Sequence, residues 1–205
     1  MIAKICGITR RADALHAAEQ GATALGFVFW PQSPRYISPE QAAEIVAALP
    51  GSVTPVGVFV NQTVDEVQQI ARVARITTIQ LHGDETADYA RPLAWPVWRA
   101  VALGPTNGTL SQWPPRTMFL LDAHDPVLRG GTGRVLDWPA AAAFAEQHPI
   151  VLAGGLTPEN VGVAIRTVRP LGVDVSSGVE SAPGIKDHAR ITSFLEHARA
   201  AFNGD

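Results

Sequence analysis

Short runs of apolar, largely β-branched residues recur along the chain at Ile2–Ile5, Ala24–Phe29, Val56–Val60, Thr77–Leu81, Val97–Val101, Met118–Leu121, Ile150–Leu152 and Val173–Val175. None alternates strictly with polar residues, which is how strands covered on both faces read in a parallel sheet. Between the runs the apolar period lengthens to that of a helix. Ala42, Ile45, Val46 and Leu49 mark one stripe, Val67, Ile70, Ala71 and Ala74 a second, Val161, Ala164, Ile165 and Val168 a third, and Ile191, Phe194, Leu195 and Ala198 a fourth. Ser38-Pro39-Glu40-Gln41 and Thr63-Val64-Asp65-Glu66 read as capping boxes, and Pro39 and Pro158 suit the first helical position. Weaker helices are expected after the first, fourth and sixth strands. Around Pro105 to Trp113 the fifth reads as short or irregular.

Strand followed by helix, repeated eight times within 205 residues, predicts a (β/α)8 TIM barrel spanning 1–205 as one domain. The runner-up is an open doubly wound sheet. Cys6-Gly7-Ile8-Thr9 stands where that fold would carry Gly-x-Gly-x-x-Gly, which disfavours it. With 46% apolar and 17% charged residues, the chain has enough to bury to exclude intrinsic disorder. Net charge is −3, and 14 Arg and 2 Lys are scattered without a basic run, so nucleic acid is not expected as a partner. A single cysteine excludes an intrachain disulfide framework and a Cys-rich metal site. There is no long apolar run and no leader-like start, so a soluble, cytoplasmic protein without a membrane partner is expected.

A barrel gathers chemistry at the C-terminal ends of its strands. Cys6 follows the first strand, His82 the fourth, Asp122 the sixth, Gly154-Gly155 the seventh and Ser176-Ser177-Gly178 the eighth. A cysteine is as often a small core residue as a functional one. At a strand end beside Gly7, with Lys4 on the same face one layer deeper, Cys6 reads as a candidate base whose thiolate Lys4 favours. Asp122 ends an apolar run, where a carboxylate either caps the next loop or serves as a general acid raised by its surroundings. Gly154 and Gly155 lead from strand to helix and, with Ser177 and Gly178, match the phosphate site that barrels build from their last two loops; ordinary turn chemistry favours the same residues. Arg35 lies in Trp30-Pro31-Gln32-Ser33-Pro34-Arg35-Tyr36, stiffened by prolines, and is placed to grip a carboxylate as a fork. The loop Arg129-Gly130-Gly131-Thr132-Gly133-Arg134 reads equally as a cover for a ligand and as a mere connection. Lys4, Gln80, Arg99 and Asp174 share the inward parity, and adjacency of the first and last strands predicts a Lys4–Asp174 ion pair, structural or catalytic. The six histidines form no zinc-binding pattern, so neither metal nor other cofactor is expected.

The run Lys4-Ile5-Cys6-Gly7-Ile8-Thr9 resembles the opening of the phosphoribosylanthranilate isomerase family of tryptophan biosynthesis. The likeness continues through Gly26-Phe27-Val28-Phe29, Ser33-Pro34-Arg35-Tyr36-Ile37-Ser38-Pro39, Gln80-Leu81-His82-Gly83, Leu120-Leu121-Asp122, Ala153 to Val161 and Asp174 to Glu180, in order over nearly the whole chain. The resemblance implies an Amadori rearrangement of an aminoaldose phosphate by proton transfers alone. The residue matching Asp122 is then the general acid that opens the ribose ring, and the one matching Cys6 the base that removes the C2 proton. His82 would line the site or support the Arg35 loop. Trp30 and Gln32 depart from the family's usual tyrosine and lysine, and Leu136 from its usual phenylalanine. A phosphorylated small molecule is the expected partner, bound by a monomer or homodimer. The alternatives are the related ribotide isomerase of histidine biosynthesis, which uses two carboxylates, and a noncatalytic phospho-ligand-binding barrel.

Overall fold

A computed structural model describes residues 1–103, 110–122 and 136–204. Strands β1 (Ile2–Cys6), β2 (Ala24–Val28), β3 (Thr54–Phe59), β4 (Thr78–Leu81), β5 (Val97–Val101), β6 (Met118–Leu121), β7 (Ile150–Leu152) and β8 (Gly172–Val175) run parallel in chain order. β8 pairs back onto β1, from Ile2 opposite Gly172 to Ile5 opposite Val175, and closes the barrel. That closure leaves no open edge and excludes the doubly wound sheet.

The helices are α1 (Arg11–Glu19), α2 (Pro39–Val46), α3 (Val64–Val73), α4 (Ala87–Ala90), α5 (Trp138–Ala145), α6 (Val161–Val168) and α7 (His188–Asn203). Both expected capping boxes form: the Ser38 and Thr63 hydroxyls accept from the N–H of Gln41 and Glu66, whose side chains accept from the N–H of Ser38 and Thr63. Pro39 takes the first helical turn. Pro158 does not, because α6 begins at Val161; the proline lies in the preceding turn, where Val161 N–H donates to Thr157 O at 3.0 Å. Among the described residues no α-helix lies between β5 and β6. The first part of Pro105–Trp113 and the Arg129–Arg134 loop fall outside the described residues. The sequence reading missed a small antiparallel ribbon, β9 (Glu180–Ala182) with β10 (Ile185–Lys186), which follows a single 3-10 turn at Ser177–Val179.

Alternation along each strand divides the core in two. Leu25, Phe27, Phe59, Ile79, Leu81 and Leu121 pack outward against the helical stripes, while Ala24, Val56, Trp98, Leu120 and Val151 fill the barrel axis. Residues paired across parallel strands share a face. Because Gln80 pairs with Trp98, Trp98 is the inward residue of β5. The expectation that Arg99 points inward is therefore wrong. Its guanidinium lies over the Trp113 ring at 5.2 Å and donates to Glu85 Oε2 at 2.9 Å.

Candidate active site

At the C-terminal mouth, a cavity of about 480 Å³ is lined by all eight candidate residues: Cys6, Arg35, His82, Asp122, Gly154, Gly155, Ser177 and Gly178. They come from six strand ends or following loops, and register brings them together. Trp30, Val28 and Val58 pack against Cys6 and form an apolar wall.

Cys6 is 8% exposed. Below it, Lys4 is fully buried, and its Nζ donates to Asp174 Oδ2 at 2.9 Å, the ion pair expected from barrel closure. Burial works against the ammonium's charge, but Asp174 and Cys6 outweigh it and raise the Lys4 pKa. For Cys6, burial pushes the thiol up; Lys4 pulls the other way, as the sequence reading expects, without overcoming it, and Asp174 adds to the upward push. Both lysines of the chain are buried near this thiol, for Lys186 is 3% exposed and its charge also favours the thiolate.

On the opposite side, His82 Nε2 stands 3.4 Å from Asp122 Oδ2, and His82 Nδ1 is 3.0 Å from Gln80 Nε2. The two strand ends are held by backbone bonds, His82 N–H to Phe59 O and Asp122 N–H to Val101 O, both at 2.9 Å. Glu85, a residue the sequence reading did not single out, accepts from Asn61 N–H, Gly83 N–H and Arg99 and braces the loop next to His82.

Arg35 does form a fork, but with a carboxylate of the protein itself. Its Nε and Nη2 donate to Glu180 Oε1 and Oε2 at 2.9 and 2.8 Å. Lys186 Nζ donates to the same Oε1 at 2.8 Å and to Ser176 O at 3.1 Å. Glu180 and Lys186 thus tie the Arg35 loop to the loop after β8. Nothing in the residue pattern marks this pair, because the ribbon that carries Lys186 is too short to show a period.

The glycine loops meet edge to edge. Gly154 and Gly155 have φ of 80° and 65°, a left-handed pair that only glycine adopts cheaply. Asn160 cross-braces the turn, its Nδ2 donating to Gly155 O at 2.9 Å and its Oδ1 accepting from Thr157 N–H at 2.8 Å. A Cβ on Gly178 would lie 1.9 Å from Leu156 O, so glycine is required for the two loops to touch. Among the described residues no cluster of His, Cys, Asp and Glu could hold a metal ion, and no helix is long and apolar enough to cross a membrane.

The family described as N-(5'-phosphoribosyl)anthranilate isomerase matches residues 3–197. A protein of that name from Trichlorobacter lovleyi is 50% identical over 204 residues, covering 97% of this chain and 98% of its own. One from Syntrophus aciditrophicus is 49% identical over 201 residues, covering 96% and 86%. The crystal structure of phosphoribosyl anthranilate isomerase from Thermotoga maritima superposes with a TM-score of 0.87 at 41% identity, covering 98% of this chain and 100% of that one. A further isomerase structure, solved with reduced 1-(o-carboxyphenylamino)-1-deoxyribulose 5-phosphate, matches with a TM-score of 0.84 at 40% identity, covering 98% and 100%. By family match, relatives and architecture alike, this chain belongs to the N-(5'-phosphoribosyl)anthranilate isomerase family.

Proposed function

We propose that this cavity isomerises N-(5'-phosphoribosyl)anthranilate to 1-(2-carboxyphenylamino)-1-deoxyribulose 5-phosphate in tryptophan biosynthesis. The observation that carries the assignment of roles is the convergence of Cys6 and Asp122, from β1 and the end of β6, on one cavity beside the paired glycine loops. Asp122 protonates the ribose ring oxygen; the C1–O bond breaks and the anilino nitrogen becomes an iminium. Cys6, as thiolate, takes the proton from C2, and the electron pair of that C–H bond neutralises the iminium to give an enolamine. Protonation at C1 and loss of the hydroxyl proton at C2 then yield the ketone. Protons alone move, which an acid and a base at one mouth can accomplish without another reagent.

The remaining contacts position the substrate. Gly154, Gly155, Ser177 and Gly178 supply backbone N–H groups for the phosphate. Trp30, with Val28 and Val58, offers an apolar wall to the aromatic ring. Arg35, its orientation set by Glu180, faces the anthranilate carboxylate, and His82 stands beside Asp122 at the rim of the substrate space. Cys6→Ser and Asp122→Asn test the assignment. Each is expected to lower kcat by about 10²–10⁴ while binding of the reduced product changes little; wild-type turnover in either would move the acid–base chemistry elsewhere. Turnover of the histidine-pathway ribotide instead of the anthranilate substrate would overturn the substrate choice.

A further inference from the structure

We propose that Asp174 is a positioning residue for Cys6: by sharing the Lys4 ammonium it offsets the counter-charge a thiolate needs, and so keeps the cysteine a thiol in the free protein. This rests on reading Cys6 as the base, and it concerns what governs that base.

The geometry leaves few ways to stabilise a negative sulfur. Cys6 Sγ and Lys4 Cε crowd the same point, 2.7 and 3.1 Å from where a Cβ on Gly26 would sit, so the ammonium-bearing chain lies against the thiol. Nζ donates at 2.9 Å to Asp174 Oδ2 and hydrogen-bonds the sulfur as well, so carboxylate and thiol compete for one ammonium. The other carboxylate oxygen, Oδ1, is buried, has no hydrogen-bond partner among the described residues, and belongs to a residue that lines the cavity.

Counting charge settles the direction. With a thiol, the trio of Cys6, Lys4 and Asp174 is neutral; with a thiolate it carries a full negative charge in a buried place, which desolvation opposes. Remove the carboxylate's charge and the reverse holds: a thiol leaves an unpaired buried cation, and a thiolate neutralises it. The charged groups that act on Cys6 are Lys4 on its own strand, Asp174 from β8 and Lys186 from β10; Asp122 and His82 act on Asp174 from the far wall. Lys186 is held by Glu180 at 2.8 Å, which leaves Lys4 as the cation that Asp174 controls.

Cys6 is the sole cysteine in the chain, so alkylation of the folded protein by iodoacetamide across a pH series reads its thiolate directly. For Asp174→Asn the midpoint is expected to fall by at least about one pH unit, making alkylation near neutral pH about tenfold faster. Lys4→Gln is expected to raise it, and the double variant Lys4→Gln/Asp174→Asn, which replaces an ion pair by two amides, to return it close to wild type. An unchanged or higher midpoint in Asp174→Asn overturns the proposal, as does a fall that persists in the double variant. If Asp174→Asn alone does not fold, Lys4→Gln and the neutral double variant decide: a double variant as high as Lys4→Gln overturns it. The readout does not use turnover. Midpoints that move as expected in a protein whose Cys6→Ser variant stays active would reject the base, not the control of its charge.

Discussion

Glu180 answers to two cations at once, Arg35 through a two-bond fork and Lys186 through one bond. Burial alone would push its carboxyl up, but Arg35 and Lys186 outweigh that and hold it below the usual carboxylate range. Its contribution to stability is thus full above the ordinary pKa of about 4.3 and is lost as pH falls through the lower folded value. Glu180→Gln leaves Lys186 buried without its counter-ion and is expected to cost about 3–5 kcal/mol, read as a lower urea midpoint near neutral pH. A midpoint within error of wild type would contradict this. Gly26 gives a second test at this scale. A methyl there would sit 2.7 Å from the Cys6 sulfur, so Gly26→Ala should shift the thiol and lower kcat by at least about tenfold, a 1.4 kcal/mol effect, with little change in affinity for the reduced product. Cys6, Asp122 and the Lys4–Asp174 pair were legible in the sequence because each stands at a known place on a strand. Glu180 was not, since its partner lies 145 residues away and no local pattern links the two.

At the level of elements, sequence and structure agree where a local rule governs. The two capping boxes are read from four residues each and form as read. Thr63→Ala should cost about 1 kcal/mol and lower Tm by a few degrees without altering turnover, because α3 stands outside the cavity wall. Strand parity is less readable: the sequence predicts an inward Arg99 on β5, but facing depends on register with β4, and register is set by pairing between strands. Pro158 shows the same limit, for where a helix starts depends on the loop that leads into it. The glycine loops carry the sharpest test of an element. Gly178→Ala drives a Cβ into Leu156 O, so the loops must part, and affinity for the phosphorylated product is expected to fall at least about tenfold, 1.4 kcal/mol, while Cys6 alkylates as before. Unaltered affinity would place the phosphate elsewhere.

Across the molecule, a polar clamp joins parts of the chain far apart in sequence. The fully buried Asp13 of α1 accepts from Arg10 Nε and Nη2, from Lys186 N–H in the ribbon and from His188 Nε2 at the start of α7. Burial pushes this carboxyl up, but Arg10, the Lys186 amide and His188 together hold it low. Asp13→Asn should cost about 1–3 kcal/mol near neutral pH. The variant's stability should also vary less steeply below about pH 4, because the wild-type contribution fades as pH drops through the depressed value; urea unfolding at several acidities measures both.

The seam between β1 and β8 bears on how the fold is reached. Lys4 and Asp174 are 170 residues apart, so their ion pair forms only when the last strand meets the first. Incomplete barrels lack that contact. The same two side chains that set the acidity of the thiol act as a latch that rewards only the finished ring, and assembly is expected to be concerted rather than stepwise.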